Sequence, residues 1–218
     1  MEDQDRAREL LRHLEQLYPD ASTALTFRNP FELLIAVILS AQCTDERVNQ
    51  VTQTLFKKCP TPEALASEPL ESLEQIIRPT GYYHNKAKAI RACAEQLVQK
   101  HAGQVPRTME AMVKLPGVGR KTAAMVLGNA YGIQEGIAVD THVLRVSQRL
   151  GIVADKTPEA VEKRLMDLVP RERWTWFSNA LILHGRQICQ ARKPSCNRCR
   201  LAHLCDYARQ TAPERDSV

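Results

Sequence analysis

The chain has 218 residues, 44% of them hydrophobic and 25% charged, with seven cysteines and a formal charge of +5. These are the proportions of a globular protein large enough to bury a sizeable core, as one large domain or two lobes. They leave no room for a membrane span: the most apolar stretch, Phe31 to Ala41, is too short and is interrupted by Glu32. Met1 to Arg12 is a charged mix without the apolar segment of a secretory signal. With an odd cysteine count, this points to a reducing cytoplasm and no disulfide framework.

Apolar residues recur at helical spacing almost throughout. Ala7, Leu10, Leu11, Leu14 and Leu17 form a first stripe that ends at Tyr18-Pro19. Asn29-Pro30, Thr61-Pro62 and Thr157-Pro158 each pair a capping residue with a proline at a helix start. Phe31 to Ala41 is apolar on nearly every side, as expected of a helix surrounded by others. Pro79 should stop the segment Glu71 to Arg78, and Ala87, Ile90, Ala94, Leu97 and Val98 carry the next helix toward Gly103. Asp140 precedes Val143, Leu144, Val146 and Leu150, with Gly151 as terminator. Nine glycines and few alternating β-branched runs leave little material for a sheet. The expected class is all-α with about ten helices, in which Cys43, Cys59 and Cys93 read as buried thiols.

Four cysteines close the chain as Cys189-x6-Cys196-x2-Cys199-x5-Cys205. Four thiolates within so short a segment can hold a zinc ion or an iron–sulfur cluster. Structural zinc sites favour two short Cys-x2–4-Cys pairs, whereas this run has one short pair with longer arms, which leans toward iron–sulfur and leaves zinc open. From Arg186 to Arg209 six basic residues, Arg192 and Lys193 among them, stand against the single acid Asp206. That surplus equals the whole formal charge. It suggests a nucleic-acid partner, though cations near four thiolates also offset the negative charge of a metal centre.

Leu115-Pro116-Gly117-Val118-Gly119-Arg120-Lys121-Thr122-Ala123 lies between two helical patterns. Gly117 and Gly119 permit positive φ and the approach of a foreign backbone, while the second helix opens with outward N–H groups suited to phosphate. Leu115 and Val118 are placed to anchor the turn. This is the pattern of a helix–hairpin–helix that reads DNA backbone without reading sequence. Lys121, in the first turn, opposes the helix dipole, which suits a neutral nucleophilic amine as well as a phosphate contact. Asp140 stands where an N-cap belongs, and a carboxylate there could equally stabilise a sugar cation or handle a proton. His142 is a secondary candidate.

Leu115–Ala123, Val139-Asp140-Thr141-His142 and the cysteine run, in this order and at these separations, resemble the endonuclease III family of helix–hairpin–helix DNA glycosylases. The likeness spans about Leu33 to Tyr207, including Leu39-Ser40-Ala41-Gln42-Cys43-Thr44-Asp45 and Thr80-Gly81-Tyr82-Tyr83-His84-Asn85-Lys86-Ala87. The resemblance implies a two-lobed fold with the DNA cleft between lobes: residues 24–134 as a six-helix domain with the hairpin at 115–123, and residues 1–23 plus 135–218 as a discontinuous iron–sulfur domain. It implies a [4Fe–4S] cluster on Cys189, Cys196, Cys199 and Cys205, Lys121 as catalytic lysine and Asp140 as catalytic aspartate. Gln42 matches the residue that fills the gap left by a flipped nucleotide. Tyr82 matches the opposite-strand wedge, where the family often has leucine. Gly117, Val118, Gly119, Arg120, Arg192 and Lys193 are the remaining expected DNA contacts. The lysine distinguishes the chain from the adenine-removing mismatch branch, which normally lacks it and carries a further C-terminal domain.

The activity so implied is base excision repair: removal of oxidised pyrimidines from duplex DNA through a lysine Schiff base, then β-elimination at the abasic site. A cytoplasmic monomer with no membrane partner is expected. Two other classes share parts of the pattern. A non-catalytic DNA-binding module would use the hairpin and basic tail alone, and an iron–sulfur electron-transfer protein would use the cluster as its active centre.

Overall fold

The computed structural model describes residues 2–211, with side chains from Gln4 onward. Among these the architecture is all-α, without a strand. The helices are α1 (Glu2–Leu17), α2 (Pro30–Leu39), α3 (Asp45–Lys58), α4 (Pro62–Ser67), α5 (Leu70–Ile77), α6 (Tyr83–His101), α7 (Met109–Met112), α8 (Arg120–Tyr131), α9 (Thr141–Leu150), α10 (Pro158–Leu168), α11 (Trp174–Gln187) and α12 (Asp206–Thr211). Twelve helices among the described residues slightly exceed the expected count of about ten. The shortest, α7 at four residues and α4 and α12 at six, are too short for an apolar period to register. The chain divides into two compact units, Thr23–Glu135 and Met1–Ser22 with Gly136–Val218.

The unit Thr23–Glu135 is built around α2. Every residue from Phe31 to Leu39 is buried, and α3, α6 and α8 pack against it. Glu32, the one charge in that run, is only 2% exposed and is fully occupied. Its carboxylate accepts from the Arg28 backbone N–H at 2.7 Å and from the Arg28 guanidinium at 2.5 and 2.9 Å. Asn29 and Thr61 cap α2 and α4, each accepting from the N–H three residues on; such caps contribute about 1 kcal/mol apiece. Pro79 does not simply stop a helix. It sits inside a 3₁₀ turn, Arg78–Thr80, that continues from α5, because proline needs no N–H at the first position of such a turn. Cys59 and Cys93 are buried, and burial pushes the Cys93 thiol up to about 12. Cys43 departs from expectation: it is half-buried, in the turn after α2.

In the other unit, α9 packs against α11, and α1 against α10 and α11, around Leu10, Leu14, Val143, Val146, Phe177 and Leu181. A Cβ at Gly185 would stand 3.1 Å from the Cβ of His142, so glycine there allows α11 to lie close against α9. Thr157 caps α10 as its sequence suggests. Arg6 of α1 ties the ends of the sequence together, donating to Leu150 O at 2.6 Å, Leu204 O at 2.7 Å and the Asp206 carboxylate at 2.6 Å. No helix among the described residues is long and apolar enough to cross a membrane.

Candidate functional site

In the unit Thr23–Glu135, α7 and α8 flank the turn 113–119. Leu115 and Val118 are buried in the core and pin the turn from within. The two glycines then divide the work. Gly117 takes φ +75°, and a Cβ there would meet Ala89 Cβ at 3.1 Å and Ile38 Cγ2 at 3.5 Å, so it serves both turn and packing. Gly119 departs from the expected positive φ: it is extended at φ −90° as the N-cap of α8. A Cβ on it would meet nothing within 4 Å, so its bare face opens outward. The Val118 N–H donates to Leu115 O at 3.1 Å and closes the turn. The α8 ladder begins with Ala123 N–H donating to Gly119 O. First-turn N–H groups therefore lie ahead of the helix's own bonds. Arg120 reaches Glu135 O at 3.3 Å, and Lys121 is exposed in the same turn.

Of the three non-glycine residues of this unit in the left-handed region, Ala102 ends α6 and the other two lie in turns. Gln42 has φ 52° and Tyr82 φ 48°, each a cost of about 1–3 kcal/mol for a residue with a side chain. Both are exposed, and at 67% Tyr82 is far more exposed than a large ring needs to be. Between them lies a residue so far without a role. Lys86 is 6% exposed, and its Nζ donates to Leu39 O at 2.8 Å and Thr80 O at 2.7 Å. Those carbonyls belong to the segments leading into Gln42 and Tyr82. One buried ammonium thus ties the two strained turns together, and desolvation lowers its pKa. The signal was present: Lys86, Ile90, Ala94 and Leu97 share a helical stripe, and a lysine on an apolar stripe needs a partner.

In the other unit Asp140 caps α9. Its Oδ1 accepts from the N–H groups of His142 and Val143, both at 2.8 Å, and its Oδ2 lies 3.0 Å from His142 Nδ1. His142 thus braces the aspartate. Residues 137–139 leading to it are buried, with Ser178 Oγ donating to Ala138 O at 2.7 Å.

Cys189, Cys196, Cys199 and Cys205 line one small cavity of about 20 Å³, shared with Val146, Leu150 and Ile188. Among the described residues no three of these sulfurs lie within 4.8 Å of one another. A single zinc with bonds of about 2.3 Å would hold tetrahedral thiolates about 3.8 Å apart. Burial pushes the Cys199 and Cys205 thiols up, so thiolates there require a cationic centre. Arg149 grips the loop, donating to Cys189 Sγ at 3.3 Å and to Gln190 O and Ala191 O at 2.8 Å. Arg145 holds Cys189 O at 3.2 Å. Buried His184, pushed down to about 4 by desolvation, has Nδ1 3.0 Å from the Tyr18 hydroxyl and Nε2 3.6 Å from Cys199 Sγ. None of these three supporting residues was visible in local sequence. Arg192 and Lys193 stand exposed on the same loop.

The family described as HhH-GPD superfamily base excision DNA repair protein matches residues 35–171. Endonuclease III of Synechocystis sp. is 49% identical over 203 residues, 93% of each chain. A solved non-covalent endonuclease III–DNA complex superposes with a TM-score of 0.90 at 48% identity, covering 95% of this chain and 97% of that one. A trapped endonuclease III–DNA covalent intermediate matches with the same values. The chain belongs to the endonuclease III family of base excision DNA repair proteins.

Proposed function

We propose that the chain is a bifunctional DNA glycosylase and AP lyase that removes oxidised pyrimidines from duplex DNA in a reducing cytoplasm. The observation that carries this reading is an exposed lysine in the first turn of the helix that follows the hairpin, in a family with a relative trapped covalently on DNA. Phosphates of the bound duplex meet the outward face of Gly119 and the first turn of α8. The lesion nucleotide leaves the stack, at a cost of a few kcal/mol that is lower for damaged bases. Gln42 and Tyr82 fill the space left behind. The neutral Lys121 amine attacks the sugar C1′, the glycosidic bond breaks, and the base departs with the bonding electrons and a proton. Asp140 stabilises the positive charge that develops on the sugar. The C1′–O4′ bond then breaks, O4′ takes up a proton, and the nitrogen lone pair closes the C1′=N imine. The imine acidifies the C2′ hydrogen, whose removal expels the 3′ phosphate with the bonding electrons and breaks the strand. Borohydride reduction of that imine is the direct test, since a DNA-binding module or an electron carrier would leave nothing to trap.

A [4Fe–4S] cluster fits the four cysteines better than zinc does, since all four line one cavity while no three of their sulfurs come within 4.8 Å of one another. When bound, such a cluster supplies a rigid anchor for the loop that presents Arg192 and Lys193. Purified protein should carry about four irons per chain, and Cys199→Ser should lose most of that iron along with thermal stability. Stoichiometric zinc with no iron after anaerobic purification would remove the assignment.

Lys86 acts as a positioning residue for Gln42 and Tyr82. Lys86→Met leaves two buried carbonyls unsatisfied and should destabilise the fold by roughly 2–5 kcal/mol. If it orients both turns, excision of an intrahelical lesion should fall further than cleavage of a preformed abasic site, measured at saturating enzyme below the melting temperature. Equal losses on both substrates would mark Lys86 as purely structural.

A further inference from the structure

A second cluster of side chains with metal-ligand chemistry, using no sulfur, joins α1 to the cysteine loop. Glu9 and His13 stand one turn apart on α1, where i,i+4 residues face the same way. The 3₁₀ turn Ala202–Leu204, between the last two cysteines, brings His203 back to them. His13 Nε2 lies 3.2 Å from His203 Nε2 with the rings nearly perpendicular, at 87°. Glu9 Oε1 is 3.9 Å from His13 Nε2. One ligand atom from each of the three lies within 4.8 Å of the other two.

A zinc ion bound at about 2.0–2.1 Å holds its tetrahedral nitrogen ligands about 3.3 Å apart, close to the separation of the two imidazoles. Two imidazoles and one carboxylate are a donor set suited to borderline divalent ions. Glu9 and His203 are exposed and His13 is half-buried, so an ion could enter and water could complete its shell. We propose that Glu9, His13 and His203 form a divalent transition-metal site, best matched to Zn²⁺, that fastens α1 to the loop between Cys199 and Cys205. Arg12 and Arg200 act electrostatically on the same imidazole, and Arg12 lies 3.9 Å from Glu9 Oε1. Their charge opposes a cation, so affinity must come from direct coordination by the three donors. The alternative is a hydrogen bond between two neutral imidazoles, which needs neither Glu9 nor a metal.

The test uses the purified, iron-loaded full chain, washed with chelator and dialysed against Zn²⁺. One zinc per chain should bind without displacing iron. Its X-ray absorption fine structure should show nitrogen and oxygen neighbours with imidazole scattering and no sulfur. His13→Gln lies far in sequence from the cysteines. Outer-shell losses alone cost about 10–100-fold in metal affinity, so losing this ligand should cost at least about 100-fold. Glu9→Gln should weaken binding as well, and iron content should stay unchanged in both variants. Sulfur in the zinc shell would mean that the ion has invaded the cysteine site. An unchanged affinity in His13→Gln, or no stoichiometric zinc in the wild type, would mean an adventitious ion or a simple histidine pair. Any of these results overturns the proposal.

Discussion

Replacing Lys121 with glutamine should abolish borohydride trapping on lesion-containing duplex and lower strand scission by about 10³-fold or more, while DNA binding persists. The reason is chemical: an amide nitrogen is not nucleophilic, and no imine can form without the amine. Structure should survive the change. Lys121 is exposed in the first turn of α8, and glutamine is nearly as good a helix former as lysine. Losing one charge beside a phosphate weakens binding and its salt dependence only by the share of a single contact. Single-turnover trapping at saturating enzyme therefore separates the nucleophile from a phosphate clamp. A variant that still traps would transfer the role to another amine.

Asp140→Asn should give nearly full stability with base release slowed by about 10²–10³-fold, the scale of losing one preorganised electrostatic stabiliser. The substitution pulls the observed cap apart from the proposed charge stabilisation. Its Oδ1 accepts from the backbone N–H groups of His142 and Val143, and the amide oxygen of asparagine caps a helix about as well as a carboxylate. The melting temperature should scarcely move. Removing the negative charge withdraws what a cationic sugar requires. Asp140→Ala would confound the two, because it also loses the cap, worth about 1 kcal/mol. Wild-type excision by Asp140→Asn would leave this residue as a cap alone.

Features that depend on local chain chemistry were legible in the sequence. Asn29, Thr61, Asp140 and Thr157 cap the helices they precede, because short polar side chains before a proline or an apolar period have few competing uses. Leu115 and Val118 are buried for the same reason, as apolar residues in an otherwise polar turn. The two hairpin glycines show where such reading stops. Both allow positive φ, but only the packing of Ala89 and Ile38 against Gly117 decides which one adopts it. Partners distant in sequence were out of reach altogether. Lys86 meets carbonyls 47 and six residues away, and Arg149 meets loop atoms about 40 residues away. Such bonds leave no periodicity, only an oddly placed charge.

The order in which the chain is synthesised sets α1 apart from every other helix. Its apolar residues Leu10 and Leu14 have their partners, such as Val143 and Phe177, after residue 136. The acceptors of Arg6 lie at Leu150, Leu204 and Asp206. Ribosomes add about 5–20 residues per second, so the 113 residues of Thr23–Glu135 keep α1 waiting for several seconds or more. That inserted segment holds all its own core partners and is free to fold as soon as it emerges. Of the described helices, the earliest made is therefore among the last to find its place. Its sparse apolar stripe, set among charges such as Asp5, Arg8, Glu9 and Arg12, is suited to keeping an orphan helix soluble in the interval.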